Sequence, residues 1–506
     1  MRPSPHAHRR LLTNGLANIA TGASASILTL VVPFFLVRTL QADDFALWML
    51  LFPLANYYNF IGLGFQTSLS RYIAVGSTHH TATQQGDLLR QAIIQLSIIS
   101  LLALAVFALV AWRLQDVFGS MAASMLPLGR VIMFVLCLAN AIALPFSLFG
   151  AAFVGVQRND RNALVQLTSR AFVATSAIAL AFATRSLLAI SVAYLAAMIL
   201  AAIGQALYFR RAAPFQTPDA APDAATPSPG HGRAFFRYSL SLSVWAVVSL
   251  LLVAAPTSIV GAVDYAAVAG FSLANTFLTF LIGIFNALIT PMTQSVAARY
   301  GSTHDTPAFQ AELRRFSFLC SGMLMIGAAW LIVLAPAFLH AWVGARRASE
   351  ALPFVLWLTL ANVLRNLQSP FSVFVIAVGK QARIFWLPAI EAALATGCSL
   401  YFGRLYGASA VGISLAGAAA AGAALTALFA LPRTLGGSQV LGAYLKESML
   451  WPLALACPAL LVTAFAVANR DAAVLPVVLL VPATAFACFA AWRHLARRSL
   501  PIAAAA

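Results

Sequence analysis

The sequence predicts an all-α polytopic membrane protein of about 14 transmembrane helices: two six-helix lobes related as a pseudo-two-fold repeat, then two C-terminal helices. Three observations predict it. Of 506 residues, 61% are hydrophobic and 9% charged, a balance outside the range of soluble domains. Apolar runs of about 20 residues recur from end to end, each able to cross about 30 Å of hydrocarbon. About two thirds of the 31 Lys and Arg fall on one side of the membrane if the N-terminus is cytoplasmic. Lipid offers no water to backbone polar groups, and the alternating pattern of a barrel is missing, so the spans are helices.

The first span is expected from about Leu11 to Val37, with Asp43 and Asp44 in its outer loop. Arg9-Arg10 before it reads as the start of a spanning helix rather than an export signal, because a dozen further spans follow. The second span, about Phe45–Gln66, re-enters the cytoplasm at Arg71. Spans three to six take about Gln91–Trp112, Val131–Val154, Ala163–Thr184 and Leu187–Phe209. Residues 210–235 are Pro- and Ala-rich without apolar periodicity, which predicts a cytoplasmic linker, as a tether or a recognition segment.

Spans seven to twelve follow near Phe236–Ile259, Ala267–Ala297, Phe316–Phe338, Leu352–Val378, Ile384–Phe402 and Ala410–Leu431. Two more, about Met449–Val467 and Val474–Trp492, form an appendage, and Arg493, Arg497 and Arg498 hold the C-terminus inside. The expected organisation is therefore an N-lobe over 1–209, the linker over 210–235, a C-lobe over 236–431, and the last two spans with a cytoplasmic tail over 432–506. The five cysteines lie in apolar runs without metal-ligand spacing and read as small buried hydrophobes. The adjacent His79 and His80 read as a solvated loop.

The lobes are related by sequence. Leu54-Ala55-Asn56 answers Leu273-Ala274-Asn275, and each following span leaves the membrane at an Arg-Tyr, Arg71-Tyr72 and Arg299-Tyr300. PFSLFGAAFVGVQ from Pro145 answers PFSVFVIAVGKQ from Pro370, each preceded by a Leu-Ala-Asn at Leu138 and Leu360. The matches fall in spans two and eight and in spans four and ten. An even number of helices per repeat gives both halves the same orientation, and transporters of this kind hold substrate between their halves.

Charge inside the spans is rare and informative. Arg365 lies about 22 Å from the basic turn Gly379–Arg383, and Glu391 about 12–16 Å deep on the returning span. The two form a candidate ion pair for holding or gating. Arg170 lies roughly 13 Å into span five, where it either faces the interior or reaches back to the headgroups. The neutral polar candidates are Asn56, Asn59 and Gln66 on span two, Asn140 on span four, and Asn275, Asn286 and Gln294 on span eight. Each either lines a wet cavity or bonds a neighbouring helix. Prolines within spans, such as Pro33, Pro53, Pro145, Pro256, Pro291 and Pro370, are candidate bends.

Six plus six plus two spans, VPFFLVRTLQADDFALW from Val32, the Arg-Tyr after span two and VGKQARIFW from Val378 together resemble the polysaccharide biosynthesis flippases. These belong to the multidrug, oligosaccharidyl-lipid and polysaccharide exporter superfamily. The resemblance implies transport of an undecaprenyl-pyrophosphate-linked oligosaccharide from the cytoplasmic to the periplasmic leaflet of the bacterial inner membrane. The implied partners are that lipid, anionic phospholipids, and a polysaccharide polymerase or export proteins. A pyrophosphate cannot cross hydrocarbon unpaired, and arginine meets phosphate through its planar fork, so Arg365 and Arg170 become the phosphate candidates. Glu391 would hold Arg365 until phosphate competes for it.

Two relatives of the same superfamily are the alternatives. A cation-coupled drug exporter needs a membrane carboxylate, and only Glu391 lies well inside a span. A lipid II flippase resembles this chain less in span one, where Asn14, Thr21, Ser24 and Ser26 stand in place of basic residues. No phosphate-binding loop, nucleophile with base or metal cluster is present, so neither an enzyme nor a cofactor is expected. The basic residues are scattered through short loops, which argues against nucleic acid. Aligned on PFS, Asn140 stands where Arg365 stands; aligned on Leu-Ala-Asn, it matches Asn362. Either way the strong cation belongs to one lobe, and an asymmetric cavity is expected.

Overall fold

The described residues form twenty α-helices, more than the crossings expected, because several spans are interrupted. The computed structural model describes residues 27–76, 81–212, 231–300, 306–377, 386–435, 438–469 and 475–499, with positions 22, 24, 214, 215 and 384. The turn Gly379–Arg383, His79-His80 and most of the 210–235 linker lie outside the described residues. In the first half the helices are α1 (Ile27–Thr39), α2 (Ala42–Ala55), α3 (Tyr57–Gly76), α4 (Ala82–Trp112) and the short α5 (Leu114–Val117). After these come α6 (Leu126–Gly155), α7 (Asn159–Thr184), α8 (Leu187–Ala212), α9 (His231–Val253) and α10 (Ala255–Val263).

The second half contains α11 (Val268–Tyr300), α12 (Thr306–Val343), α13 (Ala345–Asn366), α14 (Ser369–Ala377) and α15 (Trp386–Tyr406). It ends with α16 (Ala408–Leu425), α17 (Leu431–Leu435), α18 (Ser438–Leu445), α19 (Trp451–Ala468) and α20 (Leu475–Ser499). Among the described residues nine helices are long and apolar enough to cross a membrane by themselves. The pair around Ala254, bent by 46°, makes a tenth. Counting α1, α11, α15 and the interrupted pair α13–α14 as crossings completes the expected architecture.

Packing divides the chain into two units, Met1–Ser272 and Leu273–Ala506. This border differs from the sequence-repeat border at the linker, because α9 packs along α3 and α10 packs against α2 in the first unit. In that unit α6 is central, with α3, α4, α7 and α8 around it. In the second unit α16 lies against α13 and α15, while α12 packs on α13 and carries α19. The expectation of buried cysteines holds for Cys137 and Cys320 but not for Cys457 and Cys488, which are exposed on α19 and α20. A thiol is apolar enough to face lipid tails as readily as core.

Proline inside a helix withholds an N–H from the carbonyl four residues earlier, and lipid offers no water to replace it. Pro145 releases Ala141 O, and Ser100 Oγ on α4 donates to that oxygen at 2.8 Å. Helix α6 therefore runs unbroken through its proline. Pro53 releases Met49 O, which receives Ser272 Oγ at 3.2 Å. Pro370 releases Asn366 O, and no hydroxyl among the described residues reaches it. There the span breaks into α13 and α14 at Leu367-Gln368.

Helix α3 approaches α9 closely at Gly64. A Cβ at that position would stand 2.6 Å from Ser239 O and 2.8 Å from Ser243 N, both backbone atoms that cannot swing aside. Nearby, the Tyr57 and Ser258 hydroxyls are 2.6 Å apart and join α3 to α10. We expect Gly64→Leu to force α3 from α9 and cost about 1–3 kcal/mol. Thermal unfolding in detergent measures this, and a wild-type midpoint would show that the close approach is dispensable.

Candidate functional site

Glu391 and Arg365 meet in the second unit, from α15 and α13. Arg365 Nε donates to Glu391 Oε1 at 2.7 Å; the carboxylate side chain is 6% exposed and the guanidinium side chain 20%. Both lie away from the lipid-facing surface, as the cost of an intramembrane charge requires. Helix α16 makes the room. A Cβ at Gly422 would lie 2.8 Å from Glu391 Oε2 and 3.2 Å from its Cδ, so a side chain there would push the carboxylate aside.

The pair uses half of the guanidinium edge. Nε and Nη2 together receive both oxygens in a bidentate carboxylate pair. Here Glu391 turns Oε2 toward Gly422, and Arg365 Nη2 is buried with no hydrogen-bond partner. One turn along, Gln368 sits in the helix break, its Oε1 bonded to Thr426 Oγ1, and its Nε2 is also buried without a partner. Thr426 begins a π-helical turn, Thr426–Ala430, immediately after α16. Extra-wide turns of this kind are frequent at functional positions in helices. Sequence reading missed Gln368 and Thr426. The signal was Pro370 two residues beyond a lone amide, which marks where a span opens.

Three of the four asparagines of the repeated Leu-Ala-Asn behave alike. Asn56 Nδ2 donates to Phe52 O, Asn140 Nδ2 to Leu136 O and Asn362 Nδ2 to Leu358 O, each at 2.9 Å and each four residues back on its own helix. Asn366 makes the same bond to Asn362 O at 2.9 Å. Asn140 is 4% exposed, packed inside the first unit. Asn59 is exposed and donates Nδ2 to Asn56 Oδ1 at 3.2 Å, so those two stand together at the break between α2 and α3. Gln66 takes the interhelical reading, donating Nε2 to Ser147 Oγ on α6 at 2.8 Å.

Arg170 is partly buried on α7 in the first unit. On α11 the polar candidates form a stripe. Asn275, Thr279, Asn286, Thr290 and Gln294 are spaced so that an ideal helix places them within an arc of about 100°. Asn275 is half-buried, and Thr279 and Asn286 are exposed. The Gln294 side chain lies outside the described residues.

A bundle of spanning helices with broken crossings and a buried charge pair defines a multi-pass membrane protein. The chain belongs to the polysaccharide biosynthesis protein family, whose model matches residues 11–295, over half its length. By sequence it finds no significant match among characterised proteins. By structure it is similar to the lipid II flippase MurJ in an inward closed conformation, with a TM-score of 0.72 and 14% identity over 95% of this chain and 99% of that one. It is also similar to a transporter of the multidrug and polysaccharide exporter (MOP) superfamily from Pyrococcus furiosus, with a TM-score of 0.58 and 15% identity over 86% and 96% of the two chains. A multidrug resistance MATE transporter in an outward-facing conformation matches with a TM-score of 0.60 and 15% identity over 85% and 96%. These likenesses establish the fold.

Removing one partner of a buried pair strands the other charge, at about 3–5 kcal/mol, whereas replacing both with apolar groups costs far less. Glu391→Gln is therefore expected to lower the unfolding midpoint in detergent, and Arg365→Leu/Glu391→Leu to recover most of the loss. Equal midpoints for wild type and Glu391→Gln would sink this account of the pair.

Proposed function

We propose that this protein carries an undecaprenyl-pyrophosphate-linked oligosaccharide, or a similar lipid-linked polysaccharide precursor, from the cytoplasmic to the periplasmic leaflet by alternating access. It would do so in the bacterial inner membrane, with both termini cytoplasmic. The observation that carries the reading is the buried Arg365–Glu391 pair in a chain of the polysaccharide biosynthesis family. A diphosphate must keep a cation beside it while crossing, because an unpaired charge cannot be buried. Arg365 supplies that cation, and Glu391 balances it when no substrate is present. Arg170 is the candidate in the first lobe.

The sugar half needs hydroxyl-matching groups without charge. The polar stripe of α11 and the Asn56–Asn59 pair suit it, since amides and hydroxyls both donate and accept. Asn59, Thr279 and Asn286 are exposed on crossings where lipid contact would be unfavourable. The carrier consumes no bond and acts as a transporter rather than an enzyme, beside a polymerase and export proteins that use its cargo. A cation-coupled drug exporter shares the fold but needs an acid open to its ion. Glu391 is held by Arg365 instead. A lipid II carrier also shares the fold and is separated by the assay below.

Expression in strains lacking their own flippase tests this. The wild-type chain is expected to restore surface glycan in at least one sugar-lipid background, and Arg365→Leu/Glu391→Leu to restore none at equal membrane abundance. Failure of a well-expressed wild type across several backgrounds, or rescue only of a strain lacking its lipid II flippase, would overturn the oligosaccharide reading. Wild-type rescue by the double variant would remove Arg365 from the mechanism.

A further inference from the structure

We infer that the break between α13 and α14 is a phosphate-oxygen site in which Gln368 is a binding residue beside Arg365 and Thr426 is its positioning residue. This rests on the carrier reading for its ligand class, but the site is argued from donors. Two N–H groups, Arg365 Nη2 and Gln368 Nε2, are buried without partners three residues apart, on one face of the interrupted span. Buried donors left unmade cost about 1–3 kcal/mol each, so their recurrence in one place calls for an acceptor. Because both donate, the acceptor is an oxygen bearing negative charge or a strong dipole, and a phosphate oxygen is the one the cargo brings.

The amide is held in the orientation this needs. Thr426 Oγ1 contacts both Gln368 Oε1 and Gly422 O, and a hydroxyl has one proton to give. Gly422 O already accepts the backbone N–H of Thr426, whereas Gln368 Oε1 depends on the hydroxyl. The proton therefore goes to the amide oxygen, and Nε2 is left to donate. Glu391 completes the geometry by engaging Arg365 through Nε with its second oxygen turned to Gly422, which keeps Nη2 open.

Helix α6 shows what a sealed version looks like. Its proline is followed by the same Phe-Ser, but Ser100 occupies the released carbonyl and no break forms. The site is thus confined to the second lobe, at about 14 Å along the axis from the end of α14.

The test is binding by the full chain in nanodiscs, titrated with a polyprenyl diphosphate and, separately, with inorganic pyrophosphate. Gln368→Leu is expected to weaken polyprenyl diphosphate binding about tenfold or more with an unchanged unfolding midpoint, and Thr426→Val to weaken it less. Weakening seen with both probes assigns the phosphate group itself; weakening with the polyprenyl ester alone assigns a lipid-borne phosphate. Should Gln368→Leu also lower the midpoint, Thr426→Val at wild-type stability decides the matter. Wild-type affinity in both variants, or no diphosphate binding by the wild-type chain, overturns the site. The two readings separate cleanly: diphosphate binding through Gln368 without glycan rescue upholds the site and rejects the carrier, and rescue with unaffected Gln368 variants does the reverse.

Discussion

Carbonyl oxygens released by proline shape three crossings of this molecule. In lipid such an oxygen has no water to fall back on, and at two of the three a neighbouring hydroxyl meets it. Ser100 meets Ala141 O and Ser272 meets Met49 O, and each bond ties two helices together at a point where one of them is weakest. Where Pro370 releases Asn366 O, the span divides, and the side chains around the break are polar: Asn362, Arg365, Asn366, Gln368 and Ser369. A break and a polar cluster reinforce each other. Polar side chains can serve the loose backbone, and the loose backbone lets them converge.

The charge pair fits the same logic. A lone arginine at that depth would cost about 2.5–3.5 kcal/mol on insertion scales, and a lone glutamate would be comparably costly. Pairing removes most of that penalty but adds little net stability, because desolvation offsets the attraction. Such a pair is retained for what it makes possible rather than for strength. Gly422 is the supporting residue, since the carboxylate rests against α16 where a side chain would displace it.

The fold was legible because lipid imposes a single rule on long apolar runs, and the ends of the crossings follow from where charge returns. The Arg365–Glu391 pair was legible for the same reason, as two opposite charges inside consecutive spans have few alternatives. The roles of the asparagines were not. Asn56, Asn140 and Asn362 each donate to the carbonyl four residues back, a choice set by side-chain rotamer rather than by residue type or spacing. Gln66 chose a neighbouring helix instead, through Ser147, which lies 81 positions away and carries no local signal. Gln368 escaped notice because its meaning depends on Thr426 and on a proline whose consequence is decided by a third helix.

The two lobes share a sequence pattern yet use it differently. After the duplicated Leu-Ala-Asn, the first lobe's span four continues as helix and buries Asn140, while the second lobe's span ten opens after Asn362. Span two divides at Asn56, whereas its counterpart α11 runs unbroken through Asn275. Each repeat therefore interrupts a different crossing, and the chemistry divides with the interruptions: amides at the break of the first, a cation with its counter-ion at the break of the second. Under the carrier reading, the ion pair at the second lobe's break suits the charged end of the cargo, and the amides at the first lobe's break suit its hydroxyl-rich end.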